Sequence, residues 1–489
     1  MSETLEKLSK EDLVAEVISL KNTNSRLEER LSWLEKQLFG KKTEKVKHLN
    51  PEEQAVISFE DVQIVESAEP EKETVSYQRN KKKKNEGHPG RNVIPEHIER
   101  EVIEIRPEGD LSDKEGIGKQ EREVLERVPG KFIVKRYVKY IYKDKAGKIT
   151  EGKMPSLPIE KGIPGPGLLA FILVNKFFYH LPLHRQLEIF KNEAQMIIKG
   201  STISGWVGQC CRLLLLLYDR LLEKVLSQSY LMVDETPIKV LMREGEKKIV
   251  LGYFWVYYSP ELKAVFFDFR KGRGAENPAA RLKNFKGHLQ TDGYSAYKTL
   301  PGQNIKFLNC MAHARRKFID ARENHKKYAE EFIALAAKLY RVEKRAKAWQ
   351  LTNEERFILR AKRSQPILNK MKVWLDERKN ENLPSKLKIT EAVNYALAHW
   401  SGLIKYLEDG KLEIDNNPVE RSIRPVALGR KNFMFAGSED GAKSMAMMYS
   451  FYGTCKAQGI EPFQWTKNTL EKMPDYDPKL IEELLPFRN

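Results

Sequence analysis

Residues 230–270 read YLMVDETPIKVLMREGEKKIVLGYFWVYYSPELKAVFFDFR, and their periodicity decides the fold. Three runs rich in β-branched and aromatic residues, 230–241, 248–259 and 263–270, are separated by turn-forming segments, which predicts three successive strands. Beyond them, ENPAARLKNF at 276–285 predicts a short helix, GHLQTDGYSAY at 287–297 a fourth strand with its exit, and IKFLNCMAHARRKF at 305–318 a fifth strand entering a basic helix. Read as βββαβαβ, this order implies an α/β fold, a mixed sheet with helices on both faces.

Upstream, a proline and glycine boundary, IPGPG at 163–167, opens a helical region over 160–228. Within it LHRQLEIFKNE at 183–193 and STISGWVGQCCRLLLLLYDRLLEKVL at 201–226 predict two helices, with Ser201 or Thr202 capping the second. That is the pattern of a helix-turn-helix and equally of any helical bundle. Earlier still, alternation over 99–150 predicts a small β-rich module at 91–155 that ends in a hairpin. Before it, residues 51–73 hold eight acids and one lysine and 79–84 read RNKKKK, so 41–90 reads as a charged linker. The first 40 residues carry a heptad seam, with Leu13, Leu20, Leu27 and Leu34 at d and Val17, Asn24, Leu31 and Leu38 at a. One buried asparagine among apolar a positions, with Glu16 facing Lys21 and Arg30 facing Glu35, suits a parallel dimeric coiled coil.

Downstream, 320–410 reads as long helices inserted between two parts of one core, 229–319 and 411–455, with a tail at 456–489. From 315 to 378 there are eighteen Lys+Arg against nine Asp+Glu, a net +9. That concentration holds much of the excess of the whole 489-residue chain, 85 Lys+Arg against 68 Asp+Glu for a net +17. Such an excess implies an anionic partner, nucleic acid being the commonest for a large chain, and the insertion is expected to face it. With 41% apolar residues wholesale disorder is excluded. Runs such as LLAFILV at 168–174 are too short for a membrane span, and the charged start MSETLEKLSKEDL is unlike a signal peptide, so a cytoplasmic location is expected. Cys210, Cys211, Cys310 and Cys455 contain no C-x-x-C pair and signal no disulfide framework.

Three acids punctuate the core. Asp234 follows the apolar run LMV, Asp292 ends the fourth strand, and Glu420 opens a helix in DNNPVERSIRP at 415–425. Carboxylates from distant segments suit a pair of hard divalent ions, Mg²⁺ or Mn²⁺, which take oxygen ligands and leave positions open for phosphate. Two such ions about 4 Å apart activate a water or a 3′-hydroxyl and stabilise the leaving oxygen. Each acid also has a structural explanation: DETP at 234–237 as a strand-ending turn, Asp292-Gly293 as a hairpin turn, and Glu420 as the return half of a capping box begun at Asn417.

The segments MVDETP, QTDGYSAY, CMAHARRKF and NNPVERSIRPVALGRKNFMFAGSEDGAKSMAMMYS together resemble the transposases of the insertion sequence 66 family, DDE enzymes with a ribonuclease-H-like catalytic domain. The likeness covers most of the chain and extends to the tail GIEPFQWTKNTLEKMP at 459–474. It implies that Asp234, Asp292 and Glu420 are the metal-binding catalytic triad, that double-stranded DNA is the substrate in a bacterial, nucleoid-associated setting, and that accessory proteins of the same element take part. One departure stands out. Relatives carry a cysteine-rich, zinc-finger-like module after the zipper, whereas 91–155 here has no cysteine, and His88 and His97 alone cannot build a four-ligand site. No structural zinc is expected, and this module must be held by packing or be flexible.

Basic residues flank the acids. Arg424 lies one turn after Glu420, Arg421, Arg430 and Lys431 add cations on the same helix, and His313, Arg315 and Arg316 follow the fifth strand. All seven are expected to bind DNA backbone rather than read bases. The reading that follows is a transposase that cuts at element ends and transfers the 3′-hydroxyl into target DNA, as a homodimer or higher oligomer. Its rivals are a nuclease or resolvase on the same scaffold and a domesticated dimeric DNA-binding regulator.

Overall fold

Two mixed sheets and the helices around them make up the structure, a computed structural model. It describes residues 94–488, apart from 95, 97, 108, 110–113, 129, 243–247, 295, 298, 299, 301–303 and 382. The heptad seam at 1–40 and the charged linker at 41–90 lie outside the described residues.

The first sheet is formed by β1 (Arg100–Ile105), β2 (Lys114–Val128), β3 (Lys131–Asp144) and β4 (Ile149–Glu151). β3 is central, parallel to β1 and antiparallel to β2 and β4. Packing holds this cysteine-free module. Val124, Leu125, Val134 and Val138 are buried, and the Leu125 N–H donates to Ile163 O. Glu126, 5% exposed, accepts the Leu168 N–H at 2.9 Å in the first turn of α1 (Pro166–Phe177), where a carboxylate also meets the positive end of the helix dipole.

Helices α2 (Leu183–Ala194), α3 (Gly200–Leu213) and α4 (Leu215–Leu226) follow. The single helix expected over 201–226 is broken at Leu214 (φ −85°, ψ 2°). In the second half Tyr218 stacks on Phe266 at 4.5 Å and donates its hydroxyl to Phe267 O.

The second sheet contains β5 (Tyr230–Met242), β6 (Lys248–Ser259), β7 (Ala264–Arg270), β8 (Gly287–Thr291) and β9 (Ile305–Asn309), in the order β7-β6-β5-β8-β9. The first three are antiparallel, while β8 and β9 run parallel to β5. The α/β expectation holds, with one correction to the order of elements. Helix α5 (Glu276–Leu282) precedes β8, but the described residues between β8 and β9 hold no α-helix, and α6 (Met311–Asp320) follows β9. Residues 292–304 supply the dozen or so residues that a crossover between parallel neighbours needs.

Next come α7 (Lys326–Ala348), α8 (Asn353–Asn380), α9 (Lys388–Ala398) and α10 (Trp400–Ile404), then α11 (Asn417–Phe433), α12 (Glu439–Gln458) and α13 (Pro462–Lys472). A capping box between Thr352 and Glu355 starts α8. α12 covers the edge strand β7. The Phe267 N–H donates to Ser450 Oγ at 2.8 Å, and Thr454 Oγ1 accepts the Val265 N–H and donates to Val265 O, so the edge is closed to further pairing. Gly453 permits this approach, because a Cβ there would lie 2.4 Å from Val265 Cγ1. Among the described residues no helix is long and apolar enough to cross a membrane.

Candidate active site

β5 is longer than its partner β8. The two pair only over Tyr230–Met232, so from Val233 onward one edge of β5 is open to other elements. Pro237 is tolerated there because its missing N–H faces that open edge, and its carbonyl accepts from Arg430 Nη1 at 2.7 Å. Asp234 lies inside the strand, opposite Val256, which rules out a strand-ending turn at 234–237. The parallel register matches Met232 with Gln290. Asp234 and Asp292 each lie two residues beyond that last pair, and the Asp292 charge acts on the Asp234 carboxyl.

Asp292 follows the last residue of β8, and because β8 and β9 are parallel, Asp292-Gly293 is not a hairpin turn. The Asp292 Oδ1 accepts the Tyr294 N–H at 2.8 Å, an Asx turn, while its backbone carbonyl accepts the Tyr395 hydroxyl from α9 at 2.7 Å. Gly293 has φ +94°, and a Cβ on it would come within 2.8 Å of His399 Nε2.

Glu420 is brought in by α11. Asn416, fully buried, donates Nδ2–H to Val233 O at 3.2 Å and its backbone N–H to Cys310 Sγ at 3.1 Å, which ties the first turn of α11 to β5 and α6. The Asn417 N–H is satisfied by Asp415 Oδ1 at 3.1 Å, so Glu420 is not engaged in a capping box. Its Oε1 is buried and accepts no hydrogen bond, with His313 Nδ1 at 3.7 Å, and its Oε2 lies 3.5 Å from Arg316 Nη2.

The three carboxylates share one electrostatic environment. Burial pushes the Asp234 carboxyl far above the usual aspartate range, and the charges of Glu235, Asp292 and Glu420 push it further, opposed by the Glu235 N–H donated to Asp234 Oδ1. A cluster of this kind is unfavourable until cations enter it. Glu235, the fourth acid, is differently employed. Its Oε2 accepts the Tyr297 hydroxyl at 2.7 Å and its Oε1 accepts from Arg273 at 2.8 Å, whose guanidinium lies 4.0 Å over the Tyr294 ring. Both oxygens are occupied, so Glu235 braces the loop after Asp292 and does not project into the cluster.

Asp234, Asp292 and Glu420 offer oxygen donors, the type hard divalent cations take, and Glu420 Oε1 accepts no competing hydrogen bond. Cys310, His313 and Glu420 also offer ligand atoms within 4.8 Å of one another. We read that group as packing. The Cys310 thiol is fully buried, which pushes its pKa up and keeps it protonated, and its sulfur already accepts the Asn416 N–H.

The basic residues divide. His313 and Arg316 meet Glu420, and Arg421, Arg424 and Lys431 are exposed or half-exposed along α11. Arg315 turns toward the Tyr340 ring at 6.0 Å, and Arg430 is engaged with Pro237 O. Sequence reasoning singles out the three acids and misses Glu235, Arg273, Tyr395 and Asn416. The two tyrosines of GYSAY, adjacent to Asp292, are a signal for the brace. Nothing local marks Tyr395 or Asn416, whose partners are more than 100 residues away.

Removing the Tyr395 hydroxyl tests this support. Tyr395→Phe is expected to cost about 1 kcal/mol of positioning, hence up to roughly tenfold in single-turnover rate, with DNA affinity unchanged. A variant with the full wild-type rate would show that this hydrogen bond does not position Asp292.

Comparison with known proteins covers nearly the whole chain. The family model described as Transposase IS66 family matches residues 161–444, and the IS66 C-terminal element matches 450–487. A third, described as Transposase C of IS166 homeodomain, matches 26–103. Among curated proteins, uncharacterized protein y4qI of Sinorhizobium fredii is 33% identical over 506 residues, spanning 97% of this chain and 92% of its own. Uncharacterized protein y4jD of the same organism is 32% identical over 418 residues, 81% of each chain.

Proposed function

The chain belongs to the transposase IS66 family, and from that premise we propose that it cuts DNA at the ends of its own mobile element and joins the freed 3′-hydroxyl to target DNA. What supports this reading is that Asp234 on β5 feels the charges of Asp292, at the end of β8, and of Glu420, on α11. The sheet order β7-β6-β5-β8-β9, with three antiparallel strands followed by two parallel ones, supports a ribonuclease-H-like core.

Asp234, Asp292 and Glu420 would hold two Mg²⁺ or Mn²⁺ ions. When bound, these supply Lewis-acid activation of a water or a 3′-hydroxyl and neutralise charge at the phosphate. The protein's own groups do the rest. Tyr395 and the Glu235 brace hold Asp292, and Asn416 holds the turn that presents Glu420. Arg421, Arg424 and Lys431 bind the phosphate backbone, while His313 and Arg316 steady Glu420. A coiled coil through Leu13 to Leu38 pairs two protomers, which suits an enzyme that must hold two ends of one element.

Incubating the full chain with end-bearing DNA, a target plasmid and Mg²⁺ tests the proposal, joined products being the expected result. Cleavage without joining would make the protein a nuclease or resolvase, and binding without cleavage a regulator. Metal binding has a separate readout. At about 100 times its Kd, Mn²⁺ should stabilise the fold by about 2.7 kcal/mol, raising the thermal midpoint. Asp234→Asn should abolish that rise, and a persistent rise would place the ion elsewhere.

A further inference from the structure

The net +9 between 315 and 378 is not spread evenly over the helical insertion. α7 and α8 lie side by side in opposite directions, as the pairing of Glu343 with Arg356 and Arg360 near their joined ends and of Glu331 with Trp374 farther along shows. On the inner side the buried charges cancel, and further ion pairs lie at the surface. Arg356 and Arg360 bind Glu343, Arg356 and Lys347 bind Glu413, Lys372 binds Asp376, and Arg378 binds Glu377 and Glu381.

The outer side is different. Lys338, Arg341 and Arg345 project from one face of α7, and Arg363 faces them from α8, around a groove of about 220 Å³ that also includes Val342 and Leu359. All four cations are exposed or half-exposed, and among the described residues no ion pair joins any of them. Glu343, the acid in the middle of this stretch of α7, points to the other side, where two arginines hold it.

We propose that Lys338, Arg341, Arg345 and Arg363 form a second DNA-binding site, one that grips the sugar-phosphate backbone away from the catalytic acids. Four unneutralised cations around one groove repel one another, and a polyanion relieves that repulsion. Their layout suits a polymer. From Lys338 to Arg345 α7 rises about 10 Å, at 1.5 Å per residue, which matches about three phosphates of one strand at 3.4 Å each. The three guanidinium groups present paired donors to phosphate oxygens, and contacts to phosphate carry no sequence information, so a grip on the backbone is independent of sequence.

The inference rests on the proposed function only in taking DNA as the polyanion, and its test is separable from catalysis. The full chain and a variant carrying Lys338→Ala, Arg341→Ala, Arg345→Ala and Arg363→Ala would be titrated against a labelled duplex of arbitrary sequence over a salt series. Each phosphate left without its cation reduces the slope of log K against log salt by about 0.9, so the variant's slope should be shallower by roughly 2 to 4. A second variant with the three arginines replaced by lysine keeps the charge and should keep the slope. An unchanged slope in the alanine variant, with its thermal midpoint intact, overturns the proposal, as does a shallower slope in the lysine variant. If slopes behave as expected while the wild type neither cuts nor joins, the groove stands and the catalytic reading falls. If the wild type cuts and joins with no change of slope, only the groove falls.

Discussion

Replacing Asp234 by Asn, Asp292 by Asn or Glu420 by Gln is expected to lower both end cleavage and joining by about a thousandfold or more, with duplex binding retained. The size follows from what the carboxylates do. Each amide keeps the shape of its acid but removes the charge that holds a divalent cation, and the charge stabilisation such a cation supplies to a phosphoryl oxygen is several kcal/mol. At about 1.4 kcal/mol per tenfold, that is three decades or more. Stability should move in the opposite direction at Asp234. Its carboxyl is destabilised by burial and by the charges of Glu235, Asp292 and Glu420, so in the absence of metal Asp234→Asn should unfold no lower than the wild type. Single-turnover assays on pre-cut and uncut end DNA, in Mg²⁺ and in Mn²⁺, separate the two steps. Wild-type rates in all three variants would remove the acids from the chemistry and leave a DNA-binding protein.

The second large effect is on folding. Arg360 has a fully buried side chain, in which Nε and Nη2 donate to the two oxygens of Glu343 and the remaining donors reach Tyr406 O, Asp409 O and Leu412 O, the longest of these bonds being 2.9 Å. It joins α7 and α8 to the segment that leads into Asp415 and α11. Arg360→Ala leaves Glu343 with half its partners and three buried carbonyls without donors, and breaking a buried pair in this way costs about 3–5 kcal/mol. Arg360→Lys should recover little, because one ammonium cannot reach a carboxylate and three carbonyls at once. Denaturant unfolding of the full chain measures both. A loss under about 1 kcal/mol for the alanine variant would show that solvent enters this cluster. Loss of the link should also loosen α11, so cleavage should fall with stability.

The strands of the catalytic sheet are legible because buried strands favour β-branched and aromatic residues, and 230–270 carries three runs enriched in them, separated by polar turns. The order βββαβαβ sets a helix between the fourth and fifth strands, where the described residues hold no α-helix, and a short apolar and polar mixture such as GYSAYKTL has no period long enough to choose. The break at Leu214 is equally hidden, because leucine favours the helix on both sides. The basic excess of the insertion is plain in sequence, but its use is not. Arg356 and Arg360 read as a DNA-facing surface and are neutralised inside, while Lys338, Arg341, Arg345 and Arg363 are left outside.

From the sequence alone came the family and the α/β class, and the proposal of three acids, all carried by short-range patterns: strand period, helix caps and motifs of contiguous residues. Tertiary structure decided what those acids meet. β5 and β8 pair just before Asp234 and Asp292, and Asn416 ties the turn before Glu420 to Val233 on β5, 183 residues away in the chain. A pairing at that separation leaves no local trace, since each partner is compatible with many environments and only the closed fold selects one.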